Sequence, residues 1–177
     1  MSKWRDQLEG WLKTIEVKGS VLDIGGAQKP VKGRTKTWEA KEYIIADIAG
    51  GFDIFWDVQD GIPGQLFPFD ISFMLETLMY CVDPVKALHN ACFMTSHEIF
   101  ISNPLEGYPE TKPAGTDMVR LMPNWFDKAL ADNGFKIEEM KIVQPIYEGG
   151  FDEEIRTEGY KVSRRHASGI LIHATRI

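Results

Sequence analysis
The chain has 177 residues, 44% of them hydrophobic and 26% charged, with a formal net charge of −6. Such a balance predicts one folded domain over residues 1–177 and excludes a disordered or fibrous chain. The acidic surplus argues against a broad phosphate-binding surface, because nucleic-acid affinity rests on Lys and Arg contacts to the backbone.

Trp4, Leu8, Trp11, Leu12 and Ile15 recur at helical spacing, which predicts an amphipathic helix over 3–15. No apolar run reaches the ~20 residues of a membrane span, and the chain opens on this amphipathic segment instead of an apolar signal core. The expectation is a cytoplasmic protein without a membrane partner. Ser20 to Ile24 then reads as a buried strand ending in the tight turn Gly25-Gly26. Tyr43 to Ala46 and Phe52 to Trp56 read as two further strands, each followed by an aspartate, Asp47 and Asp57.

Between the first two strands, Pro30 and Gly33 argue against a regular helix. Only Ile48-Ala-Gly-Gly separates Asp47 from Phe52, too short for a helical crossover, so one of these strands is expected to be a short or antiparallel edge element. Phe69 to Leu75 is a continuous apolar run suited to a central strand. Asp83 followed by Pro84 signals a helix start, with the helix running to Ala91. Glu98 to Ser102 reads as the next strand, and the Pro- and Gly-containing stretch Leu105 to Thr116 as a candidate lid. A helix from Pro123 stops at Gly134 and leads to a strand from Phe135 to Val143. Gly169 to Thr175 is the last strand, and the absence of an obvious helix before it predicts an antiparallel hairpin at one edge, over 135–177. The whole reads as an α/β layered sheet.

Ligands of such sheets bind at the carboxyl ends of the strands, where glycines admit close backbone approach and acidic side chains accept from ribose hydroxyls. Gly25 and Gly26 fit the first need. Asp47 lies 24 residues beyond Asp23, about the distance at which an acidic residue meets a ribose. The four histidines lack metal-ligand spacing, no C-x-x-C pair exists, and no phosphate loop of the G-x-x-x-x-G-K-S/T kind appears. Cys81 and Cys92 read as buried thiols. The basic cluster Lys161, Arg164, Arg165 and His166 reads as a solvated loop, with a substrate anchor as the sharper alternative.

The stretch Phe69-Asp-Ile-Ser-Phe-Met-Leu-Glu-Thr-Leu-Met-Tyr-Cys-Val-Asp-Pro-Val-Lys-Ala-Leu88 resembles the fourth strand and following helix of small class I S-adenosylmethionine-dependent methyltransferases. Val21 to Gly26 is similar to that family's glycine-turn motif, and Asp117 to Pro123 with Gly134-Phe135 to its segment before strand six. The likeness covers a core of residues 18–143. It implies a Rossmann-like sheet, mostly parallel, with reduced helices between the first strands and an antiparallel carboxy-terminal strand.

The resemblance further implies S-adenosylmethionine as cofactor. Gly25, Gly26 and Ala27 would pack on its methionine part, with Asp23 at the base of the loop. Asp47 and Ile48 would meet the ribose, Asp57 and Val58 would flank the adenine, and Leu75 would close the pocket near the methyl. Glu76 and Tyr80 are the catalytic candidates, for taking a proton or holding the acceptor. Arg120 and Tyr108 are the substrate-binding candidates. The implied reaction is methyl transfer to an oxygen or nitrogen of a small-molecule or glycan-like acceptor. Two alternatives stand beside it, a degenerate cofactor-binding module and, disfavoured by charge, a nucleic-acid methyltransferase. The sequence departs from the pattern at Ala27, where a glycine is usual, and at Met79 and Tyr80, where a glutamate and a histidine are usual.

Overall fold
The computed structural model describes residues 3–105, 119–143 and 169–177. Seven strands form one sheet: β1 (Glu16–Ile24), β2 (Thr37–Asp47), β3 (Ile54–Phe55), β4 (Phe69–Leu75), β5 (Thr95–Pro104), β6 (Phe135–Val143) and β7 (Gly169–Arg176). Their order is β3-β2-β1-β4-β5-β7-β6. The first five are mutually parallel, while β7 lies between β5 and β6 and is antiparallel to both. The mostly parallel sheet with an antiparallel carboxy-terminal strand pair therefore matches the expected architecture. Its edge is β6, because β7 inserts beside β5.

One face of the sheet carries α1 (Lys3–Leu12) and the other carries α2 (Pro84–Phe93) and α3 (Pro123–Asp132). Strand pleating sends alternate side chains to the two faces. In β5, Phe100 joins the α1-side cluster with Trp4, Leu8, Trp11 and Phe73, while Ile99 and Ile101 join the α2/α3-side cluster with Leu88, Phe126 and Leu130. The central strands are buried on both sides, which explains why β4 reads as an unbroken apolar run. α1 ends at Leu12, three residues before the expected end, as Thr14 turns its hydroxyl onto the Trp11 carbonyl at 2.7 Å. α2 starts as expected: the Asp83 carboxylate accepts from the Lys86 N–H at 3.0 Å, and Pro84 occupies the first turn.

The link between β2 and β3 corrects the antiparallel option. The two strands pair in parallel, Ala46 opposite Ile54 and Asp47 opposite Phe55. A short link suffices because β3 is only two residues long and meets the very end of β2, so the chain backtracks little. Asp53 secures the return, its N–H donating to the Ile45 carbonyl at 2.9 Å and its carboxylate accepting from the Ile45 N–H at 2.8 Å. Among the described residues, no helix is long and apolar enough to cross a membrane.

Candidate functional site
The glycine turn leaves β1 where the sheet's parallel strands end. Gly25 has φ +78°, a left-handed conformation that costs other residues energy. A Cβ there would lie 2.4 Å from the Thr77 hydroxyl, and one on Gly26 would lie 2.3 Å from the Asp23 carboxyl carbon. Both glycines are thus demanded by close neighbours. Asp23 is turned under the loop, 1% exposed, where its carboxylate accepts from the Val31 N–H at 2.8 Å and the Tyr43 hydroxyl at 2.6 Å. Burial raises the Asp23 carboxyl above its ordinary pKa, and burial together with the adjacent carboxylate raises the Tyr43 phenol.

Asp47 straps the turn from the side. Its Oδ2 accepts from the Ala27 N–H at 3.0 Å, and its Oδ1 from the N–H groups of Ile48 at 2.7 Å and Ala49 at 2.9 Å. A carboxylate offers about four acceptor positions, so three such bonds leave about one. The Ile48 side chain is exposed. Asp57 closes a turn of its own, its Oδ1 accepting from the Gln59 backbone and side-chain N–H groups at 3.0 and 3.1 Å. Asn90 of α2 holds this segment, donating to the carbonyls of buried Val58 and of Asp60 at 2.7 Å each.

At the end of β4, after Leu75, Glu76 is held at φ +52°, the one non-glycine positive φ among the described residues. Its N–H donates to the Ser102 carbonyl at 2.9 Å and lies 3.1 Å from the Ser102 hydroxyl. Its carboxylate Oε1 accepts from the Trp4 indole N–H at 2.7 Å. Thr77 seats the strand end against the glycine turn by donating to the Ile24 carbonyl at 3.0 Å. Tyr80 follows in a 3-10 turn, Leu78–Tyr80, and is 43% exposed. The Val119 N–H donates to the Met79 carbonyl at 3.3 Å, which brings the segment carrying Arg120 against this turn. Arg120 also lines a groove of about 590 Å³ with Val85, Trp125 and Lys128.

The turn, Asp47 and Glu76 thus share one end of the sheet, and the Val119 to Met79 hydrogen bond sets the segment carrying Arg120 against the turn carrying Tyr80. Tyr108, the Leu105 to Thr116 stretch beyond Leu105, and the Lys161 to His166 cluster lie outside the described residues. Sequence reasoning missed Trp4, Tyr43, Thr77 and Ser102, whose partners come from distant segments. Burial pushes the Cys81 and Cys92 thiols up to about 12, so neither is a nucleophile near neutral pH. Among the described residues, no group of three or more His, Cys, Asp or Glu side chains is placed to hold a metal ion.

No protein-family model and no curated protein matches the chain. Solved structures do match in fold. A chain from the Haloferax volcanii complex of the Trm112 methyltransferase activator with a protein named as a methyltransferase superposes with a TM-score of 0.67 at 14% identity, covering 98% of this chain and 88% of that one. An S-adenosylmethionine-dependent methyltransferase from Mesorhizobium loti gives 0.64 at 14% identity over 96% of each chain. The [4+2]-cyclase SpnF gives 0.58 at 12% identity, over 97% of this chain and 81% of that one. The chain has the Rossmann-like fold of the class I methyltransferases.

Proposed function
We propose that the chain binds S-adenosylmethionine across the carboxyl ends of β1 to β4 and transfers its methyl group to an oxygen or nitrogen of a small-molecule or glycan-like acceptor. The observation that carries this reading is the Gly25-Gly26 turn, fixed from below by Asp23, from the side by Asp47 and from β4 by Thr77.

In this reading Gly25, Gly26 and Ala27 hold the methionine part. Asp47 offers its remaining acceptor position to a ribose hydroxyl, beside Ile48. Asp57 and Val58 flank the adenine, and Leu75 closes the pocket. When bound, the cofactor supplies a methyl group already activated on a sulfonium. The protein's own task is alignment and exclusion of water. Glu76 and Tyr80 hold the acceptor or take its proton, and Arg120 and Tyr108 bind it. The net charge of −6 speaks against a nucleic-acid acceptor.

Calorimetry with S-adenosylmethionine and S-adenosylhomocysteine tests the reading. Binding on the order of micromolar, about −8 kcal/mol, is expected; absence of binding by both ligands overturns it. A second reading, a cofactor-binding module without methyl transfer, is favoured by two departures at the site: Ala27 stands where the resembled family has a glycine, and Tyr80 where it has a histidine. The cyclase neighbour also illustrates that this fold hosts other chemistry. Binding of the cofactor without its conversion to S-adenosylhomocysteine, across oxygen and nitrogen acceptors, selects that second reading.

A further inference from the structure
α1 is tied to the sheet by two indole–carboxylate hydrogen bonds. Trp11 Nε1 donates to Glu139 on β6, the antiparallel edge strand, at 2.9 Å. Trp4 Nε1 donates to Glu76 at 2.7 Å, at the end of β4 beside the glycine turn. The two pairs differ in what surrounds the acid. Glu139 lies within β6, just after a register shift, with Lys141 as a second partner at 2.7 Å. Glu76 is forced into the left-handed region, its N–H anchored on Ser102. Only a structure that over-determines such a residue keeps it there. Trp4 is fully buried, and its ring lies so close to Gly169 that a Cβ there would stand 2.2 Å from a ring carbon. The indole therefore has no freedom to follow a wandering carboxylate.

We infer that Trp4 is a positioning residue for the candidate site: it fixes the Glu76 carboxylate so that its charge faces the sulfonium-methyl end of the cofactor, making α1 part of the site. This rests on the proposed S-adenosylmethionine reading. Its signature is charge discrimination, because S-adenosylmethionine carries the sulfonium cation and S-adenosylhomocysteine a neutral thioether. A packing role for Trp4 weakens both ligands alike; a positioning role changes their ratio.

Calorimetry of both ligands on the full chain, with Trp4→Phe, Glu76→Gln, the double variant and Trp11→Phe as control, tests the inference. Glu76→Gln keeps an acceptor for the indole and removes the charge. It is expected to lower the preference for S-adenosylmethionine over S-adenosylhomocysteine about tenfold, the size of a lost charged contact. Trp4→Phe is expected to lower it about three- to fivefold, as for one hydrogen bond. The double variant is expected to match Glu76→Gln, since the two act through one group, and Trp11→Phe to leave the ratio unchanged. If Trp4→Phe does not fold, benzothienylalanine at position 4, which keeps the bicycle without its N–H, takes its place. Equal weakening of both ligands by the Trp4 variant, or an additive double variant, overturns the inference while leaving the methyltransferase reading standing. A wild-type chain that binds neither ligand overturns both.

Discussion

At the ends of β1 and β2, acidic side chains hold backbone; at the end of β4, backbone and an indole hold an acidic side chain. Asp23 and Asp47 between them accept from the Val31, Ala27, Ile48 and Ala49 N–H groups, so their carboxyl oxygens are spent on the shape of the turn. Glu76 is the reverse case, pinned through its own N–H by Ser102 and through Oε1 by Trp4. In the proposed reading, one sheet end divides its acids by task. Two build a rigid turn, and the third is presented beside it. Loss of a builder is therefore expected to register first in stability, and loss of the presented acid first in ligand discrimination.

The largest expected effect comes from Asp23→Ala. It orphans the buried Val31 N–H and the half-buried Tyr43 hydroxyl and leaves a void beneath Gly26, a cost of about 2–4 kcal/mol. Chemical denaturation measures it, and a loss below about 1 kcal/mol would show that the turn does not depend on the acid beneath it. Glu76→Gln is expected to cost under about 1 kcal/mol by the same measurement, because the amide oxygen still accepts from Trp4 and the backbone anchor on Ser102 is untouched. A Glu76→Gln loss as large as that of Asp23→Ala would erase the distinction between the two regions.

How much of this was legible in the sequence follows the same division. The strands bounded by apolar runs or turn residues were readable: β4 and β6 have the expected limits, and α2 has the expected cap. The pattern marks β2 only from Tyr43, whereas the strand starts at Thr37, because Glu39, Lys41 and Glu42 line an exposed stretch that carries no apolar run. The pattern marks five residues, Phe52 to Trp56, where β3 has two, and Phe52 and Phe55 of that stretch are exposed at the sheet edge. The positions of Asp23, Asp47, Asp57 and Glu76 at strand ends follow from local pattern. What their carboxylates bond does not, since the deciding partners are set by tertiary packing: Tyr43 lies 20 residues from Asp23 and Trp4 lies 72 from Glu76. A tryptophan on an amphipathic helix reads as core, and its indole N–H carries no periodic signal.

The smallest and most discriminating effect concerns pH at the turn. Burial raises the Asp23 carboxyl above its ordinary value of 3.8, while the Tyr43 and Val31 donors pull the other way. An acid whose folded-state pKa is raised takes up its proton in the folded protein at a pH where the unfolded chain is still ionised. Its contribution to stability is therefore greatest below the unfolded value and declines as pH rises through the folded one. An amide at position 23 has no such dependence. The stability difference between the wild-type chain and Asp23→Asn is thus expected to shift in favour of the wild type as pH is lowered from 7 toward 4, read as the difference of two denaturation midpoints at each pH. A difference that stays flat over this range would mean that the donors beneath the turn outweigh burial and keep Asp23 ionised. The turn would then rest on a full charge at its base, and Asp23 would stand electrostatically closer to Glu76 than its burial suggests.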